Sequence, residues 1–299
     1  MNVFVGLLIN ILEEGLIYGI MAMGVYITYS VLSFPDLSVD GTFPLGCCVT
    51  AALACMGVHP VLCLLAAFAC GCLAGAVTGL VHVKLHITDL LSGILTMTAL
   101  YSINLVILGG RAVLPFYNKP TLFNSGLVTL LPGALYSRRV LIILFLLVVV
   151  LKLVLDLFFR TKTGLLLRAT GDNEQFVTSL AVHSGRMKVL GLMLGNGLTA
   201  LSGSVLAQQA ESASVASGTG MLVMALASVI IGTALFRGLR VLRPTTIVVL
   251  GAITYKACLV AAMQLGLPTN YLKLLMSVLF VVALVVGNRM EKGRKQSHG

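Results

Sequence analysis

Residues 139–159, RVLIILFLLVVVLKLVLDLFF, are followed at 160–187 by RTKTGLLLRATGDNEQFVTSLAVHSGRM and at 188–207 by KVLGLMLGNGLTALSGSVLA. The outer two segments are apolar and each matches the roughly 20 residues that an α-helix needs to cross a bilayer. The segment between them is too polar to share their surroundings. A span, a polar insert and a second span make a membrane protein that exposes a structured piece on one side. The rest of the chain repeats the pattern. Of its 299 residues, 58% are apolar and 10% are charged, where a soluble domain carries about 25% charged residues. Such a chain has no way to bury its apolar surface in water, and lipid is its natural solvent.

Working outward, further spans are expected at 10–32, 60–82, 89–109, 220–236, 244–263 and 270–287, with a short one at 44–58. The fold class is therefore all-α, a polytopic membrane bundle of eight or nine helices forming one domain over 1–299. The stretch 33–46, SFPDLSVDGTFPLG, contains two prolines and two aspartates and should break the helix. Irregular backbone at membrane depth is tolerated only where it is buried in protein or lines a cavity. Asp36, Asp40 and Thr42 are therefore expected to serve in gating or packing.

The net charge of +10 would suggest nucleic acid in a soluble protein. Here the positive charges sit beside apolar runs, which marks the cytoplasmic side of a membrane protein instead. Arg160, Lys162, Arg168, Arg186 and Lys188 fall in one polar stretch and at its edge. Arg237, Arg240 and Arg243 fall in a second. Arg289, Lys292, Arg294 and Lys295 fall in a basic tail at 288–299. All three stretches alternate correctly as cytoplasmic, which leaves 110–138 and the N-terminus outside. If 44–58 is re-entrant, the N-terminus moves inside. No basic segment precedes the first apolar run, so insertion is expected through that run itself.

The seven cysteines lie almost entirely in apolar runs, at spacings unlike a zinc or redox motif, and are expected to pack as small apolar side chains. No GxxxxGK[ST] is present, so energy should come from another chain or from an ion gradient. His59, His82 and His86 are expected at interfaces, and Asp89 at the cap of the fourth span. Lys152 and Asp156 are one helical turn apart and should pair. Lys256 either snorkels or lines the path. Uncharged polar residues are the preferred path candidates: Thr96, Thr98, Ser102 and Asn104 in one span, Asn196 and Thr199 in another. Asn196 could equally bond between helices as a structural contact. Within 160–187, Asp172 or Asn173 can cap a short helix over about 172–182, with Glu174 in its first turn. A rigid knob between spans is a grip for a soluble partner.

That stretch resembles bacterial ABC importer permeases of the branched-chain amino acid and ribose type. Arg160, Thr161, Gly164, Arg168, Ala169, Gly171 and Asn173 stand in matching order. DLSVDGTFPLG (36–46), LLSGILTMTALYSIN (90–104), ASVIIGTALF (227–236) and GLPTNYLKLL (266–275) look like one subgroup of these permeases. Val182-His183 stands where many relatives carry Gly-Ile, and Thr233 where many carry an acid. The resemblance implies a homodimer of permease subunits in the bacterial cytoplasmic membrane. It implies a cytoplasmic ABC ATPase that binds the ATP, an extracytoplasmic solute-binding protein, and a coupling region carried by Arg168, Gly171, Asp172, Asn173, Glu174 and Phe176. No cofactor is expected in the chain itself. A small solute, an amino acid with an apolar or aromatic side chain, is the expected cargo. The alternative is a gradient-driven carrier or channel, for which midplane acids are scarce. An intramembrane enzyme lacks a motif to support it.

Overall fold

The computed structural model describes residues 3–125, 138–236, 242–265, 271 and 274–285. The chain is an all-α bundle. Its helices are α1 (Val3–Val25), extended by a π-helical turn at Tyr26–Val31, then α2 (Val39–Cys55), α3 (Pro60–Leu85), α4 (Asp89–Ile107) and α5 (Arg139–Phe158). Two short helices follow, α6 (Lys162–Asp172) and α7 (Glu174–Ser179). The remainder are α8 (Ser184–Ala210), α9 (Met221–Phe236), α10 (Pro244–Gln264) and α11 (Leu274–Val285). Among the described residues seven helices are long and apolar enough to cross a membrane, with α2 and α11 as shorter apolar helices. A two-stranded antiparallel ribbon, β1 (Val113–Pro115) with β2 (Ser212–Ser214), ties the α4–α5 connection to the end of α8. The sequence reading expected only loops there.

α8 is the axis of the bundle. Every residue from Gly195 to Val205 is buried, and most are Gly, Ala, Ser, Thr or Asn rather than large and apolar. In lipid the tails are as apolar as leucine, so helices associate by close packing of small residues and by hydrogen bonds. α3 runs antiparallel to α8 along one row of glycines. A Cβ on Gly71, Gly75 or Gly79 would lie 2.5, 2.2 or 2.8 Å from backbone atoms of Asn196, Leu192 and Val189. This seam holds the two helices at backbone contact.

The expected break at 33–46 is shorter than the sequence suggested. Ser33 takes a left-handed φ of +56°, Pro35 cannot extend a helix, and only the segment from Ser33 to Ser38 is irregular. α2 then begins at Val39 and runs on through Pro44. Its first residues lie beside Asn196, which is twelve residues and so about 18 Å along α8 from Ser184. α2 starts near the middle of the bundle and leads towards the end where Pro60 of α3 meets Gln208 of α8. The segment 33–58 therefore crosses in two pieces, an extended half and a helical half. The basic tail, Arg237 and Arg240 lie outside the described residues, as does most of the 266–275 motif.

Candidate functional site

Three polar constellations stand out in an otherwise apolar molecule. The first is the α6–α7 knob. Thr161 caps α6 by accepting a hydrogen bond from the Gly164 amide at 3.2 Å. Asn173, in extended conformation, ends α6 and caps α7, its Oδ1 accepting from the Phe176 amide at 3.0 Å. The short helix expected over about 172–182 is α7, shorter at Glu174–Ser179 and capped by Asn173 rather than Asp172, and a further helix, α6, precedes it across a sharp turn at Asn173. The preceding LLLRA segment is itself helical. α7 ends at Ser179, where Leu180 caps it and Ala181 turns left-handed at φ +56°.

The knob is seated, not loose. Leu167 and Val177 are fully buried. A Cβ on Gly171 would meet the Val31 carbonyl at 2.0 Å, so α6 rests directly on the π-helical turn that ends α1. The Arg168 guanidinium lies 4.9 Å from the centre of the Phe159 ring, a cation–π contact at the point where α5 passes into α6. Glu174 bonds Lys188 of α8 at 2.9 Å. That hydrogen bond, with help from Ser184, holds the Glu174 carboxyl below its usual range. Asp172, Asn173, Glu174, Gln175 and Phe176 are all exposed. One exposed aromatic ring thus stands in a run with two carboxylates and two amides.

The second constellation is at mid-bundle. Asn196 Nδ2 donates to Asp36 Oδ2 at 2.7 Å, and its Oδ1 accepts from Ser38 Oγ at 3.0 Å and Thr42 Oγ1 at 2.7 Å. The Ser38 amide donates to Asp36 Oδ1 at 2.8 Å. All four side chains are buried. The irregular segment is thereby pinned to α8 by the residues that the sequence reading assigned to path and gate. Asp40 performs another task. Its two oxygens accept from the Gly220 amide at 3.1 Å and the Leu222 amide at 2.7 Å, capping α9. α2 and α9 therefore begin beside one another, and one carboxylate faces the positive ends of both helix dipoles.

The remaining path candidates separate. Thr96 and Asn104 face inward: Thr78 donates to Thr96 at 3.0 Å, and Asn104 Nδ2 donates to the Gly41 carbonyl at 3.1 Å. Thr199 is buried and bonds its own helix at Gly195. Thr98 and Ser102 share the outward face of α4 and are exposed.

The third constellation was only half legible. Asp156 pairs with Lys152 at 3.2 Å as its spacing suggested, but also accepts from Arg243 at 2.8 Å and Thr245 at 2.7 Å across the α5–α10 interface. Lys256 pairs with Glu14 of α1 and lies 5.6 Å from the Tyr18 ring centre. These partners are far apart in sequence, and the one prior signal was an isolated charge inside an apolar run. His82 bonds Asp89 at 3.1 Å, and Asp89 sits in the first turn of α4 with Thr88 as the residue before it. Thr233 bonds back to its own helix at Val229 and Ile230.

A polytopic bundle of membrane-length helices with a seated polar knob agrees with the build of a transport permease. The chain belongs to the family described as branched-chain amino acid transport system / permease component, matched over residues 7–284, a permease family of ABC importers whose members generally work with an ATPase and a binding protein. It is 42% identical to the tyrosine transport system permease protein of Clostridioides difficile (strain R20291), over 94% of this chain and 91% of that relative. It is 29% identical to the uncharacterized protein RP368 of Rickettsia prowazekii (strain Madrid E), over 93% and 96%. It is 26% identical to the ribose import permease protein RbsC of Escherichia coli (strain K12), over 95% and 86%. No solved structure matches the chain. The protein is a multi-pass membrane protein and a transport permease.

Proposed function

We propose that this permease carries an aromatic amino acid, tyrosine or a close analogue, into a bacterial cell as one half of a homodimer. The observation that carries the coupling role is the α6–α7 knob. It is rigidly seated on α1, α5 and α8, yet it exposes Phe176 among Asp172, Asn173 and Glu174. A cytoplasmic ATPase that binds the ATP would grip this surface, and a binding protein would deliver solute at the opposite end. The basic residues around the knob favour the cytoplasm for that end. The N-terminal end of α1 and the β1–β2 ribbon then lie outside and the C-terminal tail inside. Thr98 and Ser102, exposed on α4, would line a path between two copies. The amino-acid cargo is supported by the tyrosine permease similarity.

Proteoliposomes containing the permease, its ATPase and its binding protein should take up labelled tyrosine only with ATP. Uptake by this chain alone down an ion gradient would overturn the reading. Asp172→Lys combined with Glu174→Lys should abolish ATPase co-purification and leave the permease folded. Undiminished co-purification would remove the knob from the coupling role.

A further inference from the structure

Among the described residues, a groove of about 650 Å³ lies open on the outer surface of the bundle between α1, α5 and α10. Its walls are apolar, with Leu16, Phe145, Val149, Leu250 and Ile253 along its length. It follows α5 from Leu141 to Leu153, twelve residues or about 18 Å. One leaflet of a bilayer has a hydrocarbon depth of about 15 Å. Polarity enters the groove at one end, where Lys152 joins the lining and Arg243 stands beside it on the same carboxylate, Asp156.

We infer that this groove holds an acyl chain of an anionic phospholipid, with the headgroup phosphate taken by Lys152 and Arg243. The charge supports it: two cations share one carboxylate, so the cluster retains a net positive charge. The donor count supports it too. Lysine offers three N–H donors and arginine five, and Asp156 takes one from each. The Lys152 and Arg243 side chains remain 25% and 45% exposed, at the knob end of the groove. A lipid of that leaflet enters with its chain along α5 and its phosphate level with this pair. Basic sites between membrane helices on one face recognise phosphorylated headgroups in this way. Occupancy would pack α5, which otherwise meets the bundle along a narrow strip, at the point where it passes into the coupling region.

The test uses a natural property of the chain, which contains no tryptophan. Phe145→Trp places a single fluorophore in the groove, and Leu73→Trp places one on the exposed face of α3. Each protein is reconstituted with brominated phosphatidylglycerol or brominated phosphatidylcholine at low mole fraction. At Phe145→Trp the anionic lipid should quench at a several-fold lower mole fraction, and at Leu73→Trp the two lipids should quench alike. Lys152→Gln, which leaves Arg243 and Thr245 on Asp156, should cut the preference on the order of fivefold. Val149→Phe, which fills the groove without touching a charge, should remove it as well. Equal quenching at Phe145→Trp, an equal preference at Leu73→Trp, or a preference surviving both substitutions would overturn the proposal. So would an absence of quenching by either lipid, since another protein surface would then cover the groove.

Discussion

α5 and α8 are both uninterrupted membrane-length helices, and their burial runs opposite to their greasiness. α5 is almost wholly Leu, Val, Ile and Phe, yet 22% of its apolar centre is buried; α8 is rich in Gly, Ser, Thr and Asn, and 72% is buried. In water the order would be reversed. Lipid removes the hydrophobic incentive to hide leucine and makes an unpaired polar group costly, so the polar and small residues go inside. In this chain the most hydrophobic run marks the periphery and the least hydrophobic spanning run marks the axis.

The comparison breaks most readily at the α3–α8 seam. Gly75→Leu should prevent recovery of folded protein in detergent, because its Cβ alone would lie 2.2 Å from the Leu192 carbonyl and overpacking against backbone costs several kcal/mol, about 3 or more. Leu146→Ala on α5, 60% exposed, should change stability, read by thermal unfolding, by no more than about 0.5 kcal/mol. If the two substitutions proved equally harmful, the assignment of axis and periphery would be wrong. Next in size is Asn196→Leu, which leaves Asp36 buried without its amide partner. Its expected cost is about 2–4 kcal/mol, read as lost thermal stability and faster proteolysis within residues 33–38.

Asp40→Ala uncovers two α9 amides and should destabilise by about 1–2 kcal/mol; Asp40→Asn should recover part of that loss. An unchanged melting profile for Asp40→Ala would show that water caps α9 instead. The smallest effect concerns the knob. The folded carboxyl of Glu174 lies below its unfolded value of about 4.3, so its contribution is complete above that pH and is lost as pH falls through the lower folded value. The group is half exposed, which limits the effect to under about 1 kcal/mol. The protection factor of the Phe176 amide, its exchange rate referred to an unstructured peptide at the same pH, should fall on acidification in the native protein, and Glu174→Gln should remove that fall.

The knob was largely legible because its signals are local: Asn173 and Glu174 are adjacent, and a cap acts over three residues. The helix before that cap, α6, was missed because Gly164, Thr170, Gly171 and Asp172 are poor helix formers, and its seat on α1, with Gly171 against Val31, leaves no local signal. The middle of the bundle was legible as a set of residues but not as an arrangement. Asp36, Asp40, Thr42 and Asn196 drew attention as polar groups at membrane depth, yet their partners lie more than 150 positions away. Spacing along a chain carries no information about such pairs.

Composition and apolar run length determined by themselves that the chain lives in lipid as a helix bundle and where its spans fall, since the bilayer sets both the solvent and the length of a crossing. Tertiary structure alone decided which spans are central, that 33–58 crosses in two pieces, and that Asp40 joins α2 to α9. Those outcomes depend on which helix backbones come within contact of one another. That proximity is set by glycines and hydrogen-bonding groups distributed over the whole chain, and no single window of sequence contains it.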